Sequence, residues 1–281
     1  MPRIRQSGRV AAYLRSRPAT LGASVIALLA LVALLAPLLT PYDPLRRGGL
    51  ALLAPRLGHW FGTDDLGRDT FAQVLYGIRI SLLIGITSAA TAVVIGVLVG
   101  SWAGYFGGAI DDVLMRLTEL FQVIPRIFLL ILMVALLGQT LLVITIAIGV
   151  LSWPSTARIV RAEFLSRREA EYVMAARALG ASATRIIFRQ ILPNSLAPVV
   201  VNASLLVGGA ILLEAGLAFF GLGDQNAISL GQMIYSAFPF MRDAWWASLF
   251  PGLFLSLIVV AFNLIGDGLN DALNPRRSSR R

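Results

Sequence analysis

Long apolar runs without charge limit what this chain can fold into. No charged residue lies between Arg17 and Asp43, and Leu21–Leu39 is almost entirely leucine, alanine, valine and isoleucine. A helix of this length crosses the roughly 30 Å of hydrocarbon in a bilayer. Comparable apolar runs follow over residues 80–110, 127–157, 193–221 and 245–266. With 57% hydrophobic and only 14% charged residues, the chain is predicted to be an all-α integral membrane protein.

The run over residues 127–157 has to be divided, because its 31 residues would form a helix about 46 Å long. The segment Gly138-Gln139-Thr140 offers a natural break. The six predicted transmembrane helices are Leu21–Leu39, Ser81–Trp102, Asp112–Leu137, Leu141–Arg158, Pro193–Gly221 and Trp245–Gly266. We expect the first helix to be retained rather than cleaved as a signal peptide, because it is longer than a usual signal-peptide core and further spans follow it.

The placement of arginine predicts how these helices are oriented. The first 18 residues hold five arginines and no acid, residues 158–189 hold seven arginines, and residues 276–281 hold four. Arginines near the ends of transmembrane helices stay in the cytoplasm, and six helices put all three segments on one side. The predicted divisions are a cytoplasmic arm (1–18), the first transmembrane helix (19–40), an extracytoplasmic segment (41–79), a core of the remaining helices (80–276) with a cytoplasmic loop (158–193), and a basic cytoplasmic tail (277–281).

Residue usage excludes several kinds of chemistry. The chain has no cysteine, its one histidine is His59, and its 24 basic residues are all arginine. Without lysine it lacks an ordinary phosphate-binding P-loop, so we expect ATP hydrolysis to belong to another polypeptide. We expect no metal or other cofactor in this chain, and an intramembrane serine protease would have to use His59, which lies outside the predicted spans. The arginines lie between apolar runs rather than in aromatic-rich basic patches, which argues against nucleic acid as a partner.

The segment GTDDLGRDTF, after the first helix, alternates acids and arginine between glycines. A calcium loop needs a denser set of oxygen ligands in fixed register. We therefore interpret the segment as a folded elbow on the outer side, around Asp64, Asp65, Arg68 and Asp69, and we expect His59 on the surface.

The cytoplasmic loop contains a helix, a glycine and a second helix. Tyr172, Ala175, Ala176 and Leu179 are spaced as on one helix face, and Gly180 follows where that helix would end. A second helix is predicted over residues 182–190, and Pro193 marks the return to the membrane. Pattern alone leaves two interpretations open. The loop is either an ordinary one whose arginines serve topology, or a docking element for a partner.

This loop resembles the cytoplasmic motif of inner-membrane permeases of ATP-binding-cassette (ABC) importers: E-A-A, three residues, G, nine residues, I, one residue, L-P. Ala175, Ala176, Gly180, Leu192 and Pro193 match it, while Met174 and Gln190 replace the glutamate and the isoleucine. Other segments resemble the C-type permease of dipeptide, oligopeptide and nickel importers over about residues 15–276. They are FGTDDLGRDTFAQVLYGIRISLLIG, AGYFGGAIDDVLMR, ILPNSLAPVVV, EAGLAFFGLG and AWWASLFPGLFLSLIVVAFNLIGDGLNDALNPR.

The resemblance implies a six-helix permease of the type I importer fold, with both termini cytoplasmic, in a bacterial inner membrane. It implies a non-catalytic subunit that pairs with a sister permease, two separate ATPase subunits that bind ATP and Mg²⁺, and an extracytoplasmic binding protein that delivers peptide. Residues 158–193 would then be the coupling loop, with ATPase contacts from Tyr172, Met174, Ala175, Ala176, Leu179, Gly180, Ala181 and Arg185. Two alternatives stay open: the same architecture carrying nickel or another small solute, and an ion-coupled secondary transporter.

Polar residues within the predicted spans are candidates for function, because burying a charge in a bilayer is costly. Glu214 and Asn263 are candidates for the translocation pathway. For Glu214 the alternative is an interhelical hydrogen bond, and for Asn263 it is capping or contact with the coupling loop. Glu119 and Arg126 are seven residues apart on one predicted helix, which predicts a structural polar link between them.

Overall fold

The computed structural model describes residues 17–47 and 49–273, where the chain is mostly helical. The helices are α1 (Arg17–Leu34), α2 (Ala36–Leu39), α3 (Thr70–Phe106), α4 (Gly108–Val123), α5 (Arg126–Leu137), α6 (Leu141–Arg167), α7 (Glu171–Ala178), α8 (Ala183–Arg185), α9 (Leu192–Phe219), α10 (Leu230–Ala237) and α11 (Trp245–Leu273). A π-helical turn, Ile186–Ile191, joins α8 to α9, and a 3₁₀ turn, Phe238–Phe240, follows α10. Most of the predicted arm and the whole predicted tail lie outside the described residues.

Within the described residues, five helical segments are long and apolar enough to cross a membrane: α1, α3, α6, α11 and the continuous stretch Ala183–Phe219. Helices α4 and α5 together pass the same test but meet at 85°. Counted as one broken span, they bring the number to six, as predicted.

The prediction of one helix over Asp112–Leu137 was wrong. Pro125 has no backbone N–H to donate and forces the preceding residue out of the helical conformation. Ile124 accordingly is extended, with φ −89° and ψ 129°, and α5 starts only after Pro125. Proline at position 125 is itself the sequence signal for this break.

Helices α3 and α6 are longer than the predicted spans, because each continues past the charged residue that bounded the prediction. The Asp69 side chain accepts a hydrogen bond from the backbone N–H of Ala72 at 2.7 Å, so α3 begins at Thr70 rather than Ser81. Helix α6 likewise continues past Arg158 to Arg167. The predicted segment 41–79 therefore includes the first turns of α3, and its non-helical part ends at Asp69.

Helices α3 and α6 pack with almost no side chain between their backbones. Gly96, Gly100 and Gly104 recur every fourth residue of α3 and so share one face. A Cβ atom at Gly96 would lie 2.5 Å from the Cβ of Thr156, and one at Gly100 would overlap the carbonyl oxygen of Ala157. Spacing of this kind lets membrane helices approach closely, and it can be read directly from the sequence.

The two ends of the bundle carry different structures. Residues 41–69, which we call the elbow, cover one end, and the Trp246 indole N–H at the start of α11 donates to the Thr63 carbonyl there at 3.2 Å. Helix α3 runs from the elbow to the opposite end, where Gly104 packs against Phe164 of the coupling loop. Gly268, near the end of α11, contacts Ala19 of α1, so the start and the finish of the described chain share the coupling-loop end.

Candidate functional site

The inner face of α7 holds the coupling loop against the bundle. Val173 is fully buried and lies in one apolar cluster with Phe164 of α6 and with Ile186 and Ile187 of the π-helical turn. The cluster also partly buries Tyr172, Ala176 and Ala181. Helix α7 therefore shares one apolar cluster with α6 and with the segment that leads into α9.

The outer face of α7 is open in this chain. Leu179 is 88% exposed and Met174 is 48% exposed, and Ala175, Gly180 and Arg185 are exposed beside them. The structure divides the predicted face between partly buried positions, Tyr172 and Ala176, and exposed positions, Ala175 and Leu179. Because Val173 takes the most buried position, Tyr172 and Ala176 turn inward with it while Ala175 and Leu179 turn outward.

Gly180 ends α7 as predicted, in a left-handed conformation with φ +77°. Its N–H donates to the Arg177 carbonyl at 3.0 Å, and the Ala181 N–H donates to the Ala176 carbonyl at 3.1 Å. These two bonds form a Schellman motif, which a residue with a Cβ atom at the left-handed position disfavours. No atom lies within 4 Å of the position of a Cβ at Gly180, so backbone conformation alone requires glycine here.

The second helix of the loop differs from the prediction for residues 182–190. After three residues of α-helix the chain forms the π-helical turn Ile186–Ile191. Ile186, Ile187 and Ile191 are each at most 2% exposed. Positions one and five residues apart fall on one side of a π-helix, whose turns are wider than those of an α-helix. The wider turn thus buries all three isoleucines against the same cluster.

Glu214 is only 3% exposed, on α9. The Ser229 hydroxyl donates to its Oε1 at 2.6 Å, and Ser229 also caps α10 by accepting from the Gln232 N–H at 3.0 Å. The Oε2 atom has no partner among the described residues. These contacts match the interhelical hydrogen bond considered as the alternative for Glu214.

The structure does not bring Asn263 to Glu214. Asn263 is exposed on α11, and its Oδ1 lies beside Gly208, 3.7 Å from where a Cβ would stand. Gly208 precedes Glu214 by six residues, about 9 Å along α9. Asn263 is therefore the accessible member of the two pathway candidates.

The predicted link between Glu119 and Arg126 rested on a continuous helix, and that premise was wrong. Glu119 lies on α4 and Arg126 starts α5 on the other side of the 85° bend. Both side chains are exposed, and no ion pair joins them within the described part of the chain.

A different ion pair, missed from the sequence, fixes α4. The Arg161 side chain of α6 donates from Nε and Nη2 to the two carboxylate oxygens of Asp111, at 2.5 and 2.6 Å. Asp111 is in the first turn of α4. Topology explains most arginines of residues 158–189, and no structural partner was predicted for Arg161. Fifty residues separate it from Asp111, so spacing gives no signal for the pair.

The elbow forms as predicted around its acids. The Asp64 carboxylate accepts from the Arg68 side chain at 2.6 Å and from the Gln73 amide at 2.7 Å. Asp69 contacts His59 Nδ1 at 2.8 Å. His59 is thus partly buried rather than a plain surface residue. Asp65 projects beside this network, and burial together with the adjacent Asp64 charge raises the pKa of its carboxyl group.

The structure is similar to a chain from inward-facing conformations of the MetNI methionine ABC transporter, with a TM-score of 0.58 and 22% identity, covering 72% of this chain and 97% of that chain. This likeness confirms the predicted type I importer permease fold.

Sequence comparison gives the family. The profile described as "binding-protein-dependent transport system inner membrane component" matches residues 96–279, and that described as "N-terminal TM domain of oligopeptide transport permease C" matches residues 10–55. The chain belongs to the family of binding-protein-dependent transport system inner membrane components. It is a multi-pass inner-membrane permease subunit of an ABC transporter, as predicted, and a transport component rather than an enzyme.

Relatives with assigned names are similar over nearly the whole chain. The dipeptide transport system permease protein DppC of Alkalihalophilus pseudofirmus is 42% identical over 94% of this chain and 88% of its own length. The oligopeptide transport system permease protein OppC of Bacillus subtilis is 38% identical over 92% of this chain and 85% of its own length.

Proposed function

We propose that this subunit pairs with a sister permease to form the pathway for di- or oligopeptide uptake. Two separate ATPase subunits, which bind ATP and Mg²⁺, drive the cycle, and an extracytoplasmic binding protein delivers the peptide. The names of the most similar relatives, dipeptide and oligopeptide permeases, support peptide as the cargo. Their similarity over nearly the whole length of this chain favours peptide over nickel or another small solute.

The coupling-loop end faces the cytoplasm in this proposal, and the elbow faces outward. The seven arginines between Arg158 and Arg189 support that orientation. The start of α1 and the end of α11 share the coupling-loop end and so face the cytoplasm with it.

The observation that carries the proposal is the two-sided construction of α7. Its outer face presents Met174 and Leu179 as an exposed apolar tip, and an exposed apolar helix face suits the groove of a partner. Its inner face packs Val173 against α6 and the π-helical turn. A displacement of the tip by an ATPase therefore reaches two membrane helices directly. Tyr172, Ala176 and Ala181 transmit the force from inside, while Met174, Ala175, Leu179, Gly180 and Arg185 make the ATPase contact.

For the pathway itself, Asn263 is the stronger candidate because its side chain is exposed on α11. Glu214 serves as a link between α9 and α10 through its short contact with Ser229. Exposed polar groups on permease helices line water when two permeases enclose a pathway.

Reconstitution tests the proposal. The subunit is assembled with its sister permease and ATPases in proteoliposomes that hold the binding protein on the side of the elbow, and uptake of labelled alanyl-alanine and of nickel is compared. Peptide accumulation that requires both ATP and the binding protein is expected. Accumulation of nickel but not peptide would overturn the cargo, and peptide uptake driven by an ion gradient without ATP would overturn the coupling.

A further inference from the structure

Helix α4 runs beside α6 from the coupling-loop end towards the middle of the bundle. At its start, Asp111 pairs with Arg161 of α6. Near its end, the ring of Phe121 packs edge-on against that of Trp153, with 5.4 Å between the ring centroids. Trp153 precedes Arg161 by about 12 Å along α6 and lies close to the middle of that helix, Leu141–Arg167. Helix α4 therefore reaches about half-way through the span.

Two exposed faces of α4 differ in chemistry. The polar face carries charged side chains at positions i, i+4 and i+7; they are Asp112, Arg116 and Glu119. The apolar face begins one residue later and is therefore rotated by about 100° around the helix; its members are Val113, Leu117 and Leu120. The side of α4 that packs on the bundle is different again, because Asp111 and Thr118 are buried there. Helix α4 thus meets three different surroundings.

Glu119 lies too deep in the span to face lipid. It precedes Phe121 by two residues, so it lies at nearly the depth of Trp153. Its side chain is exposed and forms no ion pair within the part of the chain that the structure describes. A charge at this depth is strongly unfavourable in hydrocarbon, and glutamate lacks the long stem by which lysine and arginine reach the headgroups. Glu119 therefore requires water or a polar partner outside this chain.

Water suits the polar face better than a dry contact with another subunit. The cores of subunit interfaces are depleted of charged residues, and a charge buried there needs an opposite partner in good geometry. The polar face carries both signs, and the exposed Arg126 follows it at the start of α5. Water satisfies all of these groups without a matched set of charges on the partner. The apolar face, in contrast, suits lipid or an apolar contact.

We propose that the polar face of α4 borders the water-filled pathway, from Asp112 at the coupling-loop end to Glu119 near mid-span. This proposal rests on the proposed function, in which this subunit and its sister enclose a pathway. It adds the first half of the broken span to the pathway wall, and it turns the apolar face away from the water. A peptide that passes α4 meets fixed charges of both signs there, so its own charged groups keep polar surroundings.

Single cysteines test the two faces at matched depth, because the chain has no cysteine of its own. The pairs are Arg116→Cys with Leu117→Cys and Glu119→Cys with Leu120→Cys, and Asp112→Cys with Val113→Cys replaces a pair that does not assemble. The assembled transporter in inside-out vesicles, without nucleotide, is treated with a membrane-impermeant methanethiosulfonate, and modification of this subunit is followed by mass spectrometry. Thiols react as thiolates, which form in water and not in lipid.

The polar-face cysteines are expected to react at least tenfold faster than their apolar-face partners. Equal rates within the pairs, or faster reaction on the apolar face, overturn the proposal. A pathway with alternating access closes on one side as it opens on the other. ATP with orthovanadate, added to hold the ATPases together, is therefore expected to change the rate at Glu119→Cys at least fivefold.

An unchanged rate with ATP and orthovanadate would indicate a permanently open surface and would also overturn the assignment to the pathway. ATP-dependent peptide uptake by the unsubstituted transporter is measured separately. Loss of peptide uptake alone contradicts the proposed cargo, whereas the difference in rate between the two faces reports only on which side of α4 meets water.

Discussion

The guanidinium group of Arg161 on α6 binds both carboxylate oxygens of Asp111 on α4, at 2.5 and 2.6 Å. The Asp111 side chain is 11% exposed and that of Arg161 is 35% exposed. A bidentate contact of this kind fixes the orientation of the guanidinium group as well as its distance from the carboxylate. It anchors the first half of the broken span to the helix that leads into the coupling loop.

Removal of this anchor is expected to destabilise the subunit. Arg161→Gln leaves the Asp111 carboxylate largely buried without a cation, so the free energy of unfolding in mixed micelles should fall by about 2 kcal/mol. Arg167→Gln is the matched control, because Arg167 pairs with Glu163 one turn away on the same helix, at 2.5 Å. A pair of that kind contributes about 0.5 kcal/mol or less. Equal losses of unfolding free energy in the two variants would show that the Asp111–Arg161 pair contributes no more than an ion pair within one helix.

The conformation of Gly180 should be required for coupling. Valine at φ +77° is strained by about 1–2 kcal/mol or more, which disrupts the end of α7. Gly180→Val is expected to reduce ATP-dependent uptake at least tenfold while membrane insertion is kept. Gly138→Val is the control, since Gly138 also has positive φ, +105°, with open space around it, but ends α5. Normal uptake in Gly180→Val would remove α7 from the coupling path.

The two faces of α7 should respond differently to substitution. Leu179 is 88% exposed, so Leu179→Asp is expected to lower ATP-dependent uptake at least tenfold without changing the unfolding midpoint of the isolated subunit. The Tyr172 hydroxyl is buried without a partner within the described chain. Tyr172→Phe removes an unsatisfied group and should leave stability unchanged or raise it by up to about 1 kcal/mol. Preserved uptake in Leu179→Asp would contradict the assignment of the exposed tip to the ATPase.

Glu214 is expected to act as an acceptor for Ser229 rather than as a contact for cargo. Glu214→Gln keeps an oxygen that accepts the Ser229 hydrogen bond, so transport rate and peptide preference should stay unchanged. Ser229→Ala removes the donor and should lower the unfolding free energy by about 1–3 kcal/mol. If Glu214→Gln assembles normally but changes the preference among peptides, Glu214 contacts cargo in the translocation pathway.

The raised pKa of Asp65 gives the elbow a predictable pH dependence. A carboxyl group with a raised pKa binds its proton more tightly in the folded state than in the unfolded state. Its contribution to stability is therefore largest below the ordinary value of 3.8 and falls as pH rises through the raised pKa. Asp65→Asn should unfold at a higher temperature than wild type near neutral pH, and the difference should shrink as the pH is lowered towards 4. An unchanged difference across that range would contradict the shift.

Local signals predicted the parts of this fold that local chemistry determines. Gly180 and the spacing around Ala175 predicted the end of α7, and the acids of GTDDLGRDTF predicted the elbow. The break at Pro125 was equally readable from the chain, because proline acts on its immediate neighbours. The glycine face of α3 was also readable, from its four-residue spacing.

Other features required the tertiary structure. Which residues of α7 face the bundle depends on the packing of Val173 in one cluster with Phe164 and the isoleucines of the π-helical turn. The Asp111–Arg161 pair and the Ser229–Glu214 contact join residues on different helices. No sequence period connects such partners, so neither the pair nor the role of Glu214 could be chosen from the sequence alone.

The close approach of α3 and α6 has a mechanical consequence. A slide of one helix along the other by part of a turn would carry Gly96 and Gly100 away from Thr156 and Ala157, at positions where a Cβ atom of α3 does not fit. Helices α3 and α6 are therefore expected to move together as one rigid body. Helix α3 has 37 residues and is about 56 Å long. A small rotation about the coupling-loop end therefore displaces the elbow end by a larger distance.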